Sequence, residues 1–226
     1  GINFRSFDAF NFAMTVISSG GFLIVNDISE VLQSNFQIYV FSLSMLVSFF
    51  GILLPYNILF LKKKDLLVFT EDYYLLIYFI FLVAIFFVFF NEFQNFSIIF
   101  FSIVSSISNI GISYSLYDEN NFIFIILVII GGSLVSTSSG LRFLKIFLLT
   151  KFSFNELVSH SKPKHVLLNK VLFSKGKINF EDINKYFFTV IIFILSFTLL
   201  TCLLTLYDFD FEKAFKLSIL TLMNTV

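Results

Sequence analysis

Residues 95–113 read NFSIIFFSIVSSISNIGIS, and their length decides the fold. They lie between two strongly apolar runs, 73–90 and 122–130, each of which reads as membrane-embedded. Residues 96–107 read as a helix, with Phe and Ile at most positions and Ser scattered among them. Residues 108–113 read as irregular, with one glycine and several small polar groups. Twelve helical residues reach about 18 Å, short of the ~30 Å hydrocarbon core. A segment that enters a membrane and cannot cross it must turn back. Irregular backbone is tolerated at that depth only when protein buries it or it lines a watery path. The stretch therefore reads as a re-entrant pore loop.

The same unit recurs on both sides. Residues 7–22, FDAFNFAMTVISSGGF, give a short apolar helix and then Ser18-Ser19-Gly20-Gly21. Residues 209–226, FDFEKAFKLSILTLMNTV, give an acidic start, a short apolar helix and then Asn224-Thr225-Val226. Span, short helix, polar turn and span form one repeated supersecondary unit. Because the chain begins and ends inside repeats, it reads as an excerpt of a longer protein. The predicted class is an all-α integral membrane protein of repeated span–pore helix–filter loop–span units.

The predicted organisation follows the repeats. Residues 1–61 hold a pore helix, its turn and a span, with a kink expected at Gly51 and Pro55. Residues 62–150 hold a complete unit whose second span, begun at 122–130, is broken at 131–140 and resumes at 141–150. Residues 151–185 form a polar, lysine-rich connector. Residues 186–226 hold a span, 186–207, and the last short helix.

Composition agrees with this class. The 226 residues are 58% hydrophobic and 13% charged, against about 25% charged in soluble domains. Formal net charge is zero, which leaves no case for nucleic-acid binding. The single cysteine, Cys202, excludes an intrachain disulfide. His160 and His165, the only histidines, lie in the connector without a carboxylate or thiol at ligand spacing, so they read as surface residues. The sequon at Asn95 opens a buried helix and reads as chance. No arrangement for nucleophilic catalysis or phosphate binding appears, so no enzyme and no bound cofactor is expected; a polytopic membrane enzyme is the remote alternative.

Charge placement sets the topology. If every short helix returns to its own side, one face collects Lys62, Lys63, Lys64, Arg142, Lys145 and the lysines of 151–185. The other collects Asp8, Asp27, Glu30, Glu92, Asp118, Glu119, Asp208, Asp210 and Glu212. The positive-inside rule puts the lysines in the cytoplasm. The acidic outer face would concentrate cations.

A cation crossing a bilayer needs its hydration shell replaced, which backbone carbonyls at a constriction can do. The candidate ion-binding residues are Ile17, Ser18, Ser19 and Gly20, then Ser108, Asn109, Ile110 and Gly111, then Asn224, Thr225 and Val226. An inward-aimed short helix adds the negative end of its dipole. The second informative stretch is 131–140, GGSLVSTSSG, followed at once by Leu141 and Arg142. Glycines and hydroxyls break a span there. Gly131, Gly132, Ser133, Ser136, Thr137, Ser138, Ser139, Gly140 and Arg142 are the candidate gate residues. The physics of the stretch fits a packing kink and a movable flap equally well.

With these residues quoted, the chain resembles the TrkH/KtrB/HKT superfamily of potassium transporters, and the bacterial TrkH branch most closely. FDAFNFAMTVISSGGF is similar to the family's second pore segment and FSIVSSISNIGIS to its third. GGSLVSTSSGLRFLK is similar to its glycine-rich loop and the basic helix start, with Val135 and Ser139 where glycine is usual. The last segment is similar to the start of the fourth filter. The resemblance implies potassium uptake through a fourfold pseudo-symmetric filter, with an intramembrane loop as a gate below it. It also implies a multi-pass protein in lipid of the bacterial inner membrane, a homodimer and a TrkA-like cytoplasmic nucleotide-binding regulatory subunit. The alternative is a sodium-preferring or non-conducting subunit of the same fold.

Overall fold

Helix follows helix in the computed structural model, which describes residues 6–23, 25, 28–50, 66–89, 96–112, 114, 122–161 and 180–225. The elements are α1 (Ser6–Ser18), a 3-10 turn (Ile28–Glu30), α2 (Asn35–Phe49), α3 (Leu66–Phe89), α4 (Phe96–Ser108), α5 (Phe122–Ile129), β1 (Ile130–Gly131), β2 (Leu141–Arg142), α6 (Phe143–Ser161), α7 (Phe180–Leu206) and α8 (Phe211–Leu222). The β1–β2 pair is parallel and only two residues long, so the all-α description holds apart from this clip. It pins Ile130 to Leu141 and Gly131 to Arg142, closing the loop between them.

α3 and α7 are long and apolar enough to cross a bilayer, over Glu71–Val88 and Ile183–Leu206. α7, with 27 residues, is about 40 Å long. Phe187, Phe188, Ile194, Leu195 and Leu199 on it are exposed. Water would oppose that exposure by about 25 cal/mol per Å², whereas lipid tails do not. α4 is the opposite case. Ten of its thirteen residues are buried, and it packs against α2, α3 and α5. One apolar cluster joins its Ile98, Phe101 and Val104 to Ile38 and Met45 of α2. Another joins Ile99, Ile103 and Ile107 to Leu75, Leu82 and Phe86 of α3 and to Phe124 of α5. The short helix is thus the core around which the spans pack.

α2 starts at a capping box. The Gln37 N–H donates to Ser34 Oγ at 3.3 Å, and the Ser34 N–H donates to Gln37 Oε1 at 3.1 Å. These bonds satisfy two donors that a helix start otherwise leaves open.

Three predicted boundaries move. The 151–185 connector is helical over its first part, because α6 runs on to Ser161. No glycine or proline interrupts 143–161, and the helix stops just before the residue that precedes Pro163. The resumed helix starts at Phe143 rather than at 141, since Leu141 and Arg142 are held in the clip. α7 begins at Phe180, ahead of the expected 186, with Glu181, Asp182 and Lys185 in its first turns. The kink at Gly51 and Pro55, Lys62–Lys64 and residues 162–179 lie outside the described residues.

Candidate functional site

The three short helices end in the same backbone motif. In α1 the N–H of Gly20 donates to the Thr15 carbonyl at 3.2 Å, and that of Ser19 to Val16 at 3.4 Å. In α4 the N–H of Ile110 donates to Ser105 at 3.2 Å, and that of Asn109 to Ser106 at 3.3 Å. In α8 the N–H of Thr225 donates to Leu220 at 2.9 Å, and that of Asn224 to Thr221 at 3.2 Å. Each pair is the 6→1 and 5→2 pattern of a Schellman cap, which needs a left-handed residue at its turn. Ser19, Asn109 and Asn224 fill that place with φ of 50°, 55° and 55°.

This motif sets the register between copies. Ser19 corresponds to Asn109 and Asn224, and Gly20 corresponds to Ile110 and Thr225. Gly21 corresponds to Gly111, and both have positive φ, 68° and 75°. The glycine shared by the first two turns is therefore Gly21, whereas the sequence reading paired Gly20 with Gly111. Gly20 is not left-handed, so its lack of a side chain is not demanded by its backbone. Ile17 and Ser18 belong to the last turn of α1, as Ile107 and Ser108 do to that of α4. Val226 lies outside the described residues.

The second turn is buried from Ser108 to Ile110, whereas the first and third are buried at Ser19 and Thr225 but exposed at Ile17, Ser18 and Asn224. A Cβ placed on Gly111 would lie 3.0 Å from Thr225 Cα, so the second and third turns approach backbone to backbone. Asn109 Oδ1 is buried and has no hydrogen-bond donor among the described residues. A helix C-terminus carries the negative end of its dipole, and the ends of α4 and α8 meet here.

The loop 131–140 lies against all three turns. Ser19 Oγ and Thr137 Oγ1 are 3.3 Å apart. Asn109 Nδ2 donates to Ser139 Oγ at 3.1 Å, and Ser139 Oγ donates to the Met223 carbonyl. A Cβ on Gly140, whose φ is 91°, would meet Asn109 Nδ2 at 3.1 Å.

Arg142 organises the loop from within. Its Nη1 lies 3.0, 3.2 and 2.8 Å from the carbonyls of Ser133, Ser136 and Ser138, and 2.8 Å from Ser136 Oγ. Ser138 Oγ accepts the Gly132 N–H at 2.9 Å. Outside support comes from α2, where the carbonyls of Phe49 and Ser48 accept the N–H groups of Ser133 and Ser138 at 3.1 and 3.3 Å. A Cβ on Gly132 would run into the Phe49 carbonyl, so the loop and the end of α2 fit only through glycine. The expected gate residues thus converge on one knot. Leu134 and Val135 point out of it and are exposed.

Two features escaped the sequence reading. Glu71, buried at the start of the α3 span, accepts the Leu134 N–H at 2.9 Å. The only sequence signal for it was a carboxylate at the edge of an apolar run. The hydroxyls of Thr15 and Ser105 reach forward to the backbone just after their turns. Their signal was a hydroxyl four residues before the left-handed position in both copies.

No protein-family model matches the chain, and no curated protein does. Among solved structures, the crystal structure of the potassium transporter TrkH from Vibrio parahaemolyticus matches with a TM-score of 0.82 at 20% identity. The match covers 99% of this chain and 50% of that one, so this chain spans half the length of the protein it matches. That neighbour is a transporter and not an enzyme. The helices, the three turns and the loop described here therefore make up half of a TrkH fold, the fold of a membrane protein.

Proposed function

We propose that this chain forms part of a monovalent-cation uptake path across the cytoplasmic membrane, with potassium as the transported ion. Backbone carbonyls of the turns at 18–21, 108–111 and 224–226 form the filter, and the loop 131–140 is its gate. One observation carries this reading: three identically bonded helix ends meet at a single loop. Convergent carbonyls and helix C-termini favour a dehydrated cation. Arg142, held by loop carbonyls, adds a positive charge on the gate side that opposes a cation while the loop is closed. The lysine-rich segments 62–64 and 151–185 face the cytoplasm.

The experiment is rubidium uptake by the full-length protein in liposomes, with potassium and sodium as competitors. Competition by potassium well below the sodium concentration needed supports the reading. Equal competition favours the sodium-preferring alternative. No uptake by correctly inserted protein favours a non-conducting subunit.

A further inference from the structure

Most hydroxyls on these helices bond backwards, to a carbonyl three or four residues earlier. Ser42 Oγ donates to Ile38, Ser48 Oγ to Met45 and Thr201 Oγ1 to Phe197. That is the usual habit of Ser and Thr within a helix. Thr15 and Ser105 depart from it. Thr15 Oγ1 donates forward to the Phe22 carbonyl at 2.6 Å. Ser105 Oγ donates forward to the Ile112 carbonyl at 2.7 Å and accepts the Ile112 N–H at 3.1 Å. In both copies the partner lies seven residues on, just past the left-handed glycine.

The same two residues also hold their turns by the main chain, since their carbonyls accept the closing N–H groups of Gly20 and Ile110. One residue in each copy thus anchors both ends of the turn, its carbonyl at the near end and its hydroxyl at the far end. Both residues are buried; Ile112 is buried too, so water does not compete for the Ser105 bond, whereas Phe22 is exposed and the Thr15 bond is only partly shielded. The third copy differs. Leu220 stands at the corresponding position and has no hydroxyl. That turn is held by Ser139 Oγ on the Met223 carbonyl and by the approach of Gly111 to Thr225.

We infer that Thr15 and Ser105 are positioning residues for ion discrimination, bracing the first two turns so that their carbonyls keep one spacing. This rests on the filter reading above and names the residues that set its selectivity. A braced carbonyl ring cannot shrink onto a smaller ion, whereas a loosened one can. Removing a brace therefore relaxes the preference for potassium over sodium more than it lowers flux.

The test is the potassium-to-sodium permeability ratio of full-length protein in liposomes. Ser105→Ala and Thr15→Ala should each lower the ratio by about fivefold, the size of one lost hydrogen bond. Ser105→Thr and Thr15→Ser retain the hydroxyl and should restore it. Ser42→Ala, whose hydroxyl bonds only along its own helix, should leave the ratio unchanged. If Ser105→Ala fails to insert, Ser105→Cys gives the reading instead, with an intermediate ratio expected from its weaker donor. A selective wild type whose ratio survives these losses overturns the brace and leaves the filter standing. A wild type that carries no ion overturns both.

Discussion

At the end of α4 the chain turns with local groups, through two backbone N–H bonds, the Ser105 hydroxyl and the left-handed Asn109 and Gly111. Across from it, in 131–140, the chain turns with the help of side chains. Arg142, Ser138 and Glu71 supply the partners that the loop backbone needs. Both are irregular backbone in a membrane fold, where an unsatisfied polar group costs several kcal/mol. The helix-end solution is local and appears in three copies. The loop solution depends on α2, α3 and β2 together and appears in one place. A turn satisfied locally keeps its shape when its surroundings move. A loop satisfied by remote groups can be released by losing a few of them, which suits a filter and a gate respectively.

The largest effect should come from separating the two devices at the loop's centre. Arg142→Ala strands the carbonyls of Ser133, Ser136 and Ser138, at a cost of about 3 kcal/mol. Basal ion flux should rise several-fold, and Arg142→Lys should fall between wild type and alanine, because it keeps the charge without the planar fork. Flux per inserted molecule measures this; unchanged flux in Arg142→Ala would break the contrast.

Next comes the register of the turns. Gly111→Ala forces a side chain into the left-handed region and against Thr225, costing about 2 kcal/mol. Gly21→Ala meets the same backbone strain. Gly20→Ala meets only the side chains of Ser18 and Phe22 and should be mild. Ion selectivity should therefore suffer in the order Gly111, Gly21, Gly20. A larger defect in Gly20→Ala than in Gly21→Ala would restore the register read from sequence.

The smallest effect concerns neither device. Ser34→Ala removes the cap of α2 and should lower thermal stability in detergent by about 1 kcal/mol. Flux should not change. A change in flux would mean that the end of α2 transmits strain to Phe49 and the loop.

Much of this comparison was legible before the structure. A twelve-residue helix at 96–107 against longer spans such as 73–90 and 186–207 exposed the repeats, and glycines with serines marked both turns and loop. The slip at Gly20 has a simple origin. In Ser18-Ser19-Gly20-Gly21 two adjacent glycines both suit a turn, and only the hydrogen bonds say which is left-handed. Arg142 was visible as the first charge after a broken span, with Lys145 close behind. Glu71 was not, because the partner that makes it matter, Leu134, lies 63 residues away. The Thr15 and Ser105 braces were hidden for another reason. A serine in a helix ordinarily bonds backwards, and composition cannot show that these two bond forwards.

The central claim is that 131–140 is a closed barrier beneath three fixed turns. Its most direct measurement is ion flux through full-length protein with residues removed within 133–139, compared with wild type at matched membrane expression. The account predicts flux several-fold above wild type, because the obstruction is steric and each turn keeps the two backbone bonds of its own helix end when the loop is shortened. A shortened protein that inserts normally and conducts no more than wild type would contradict it and leave the loop a packing kink.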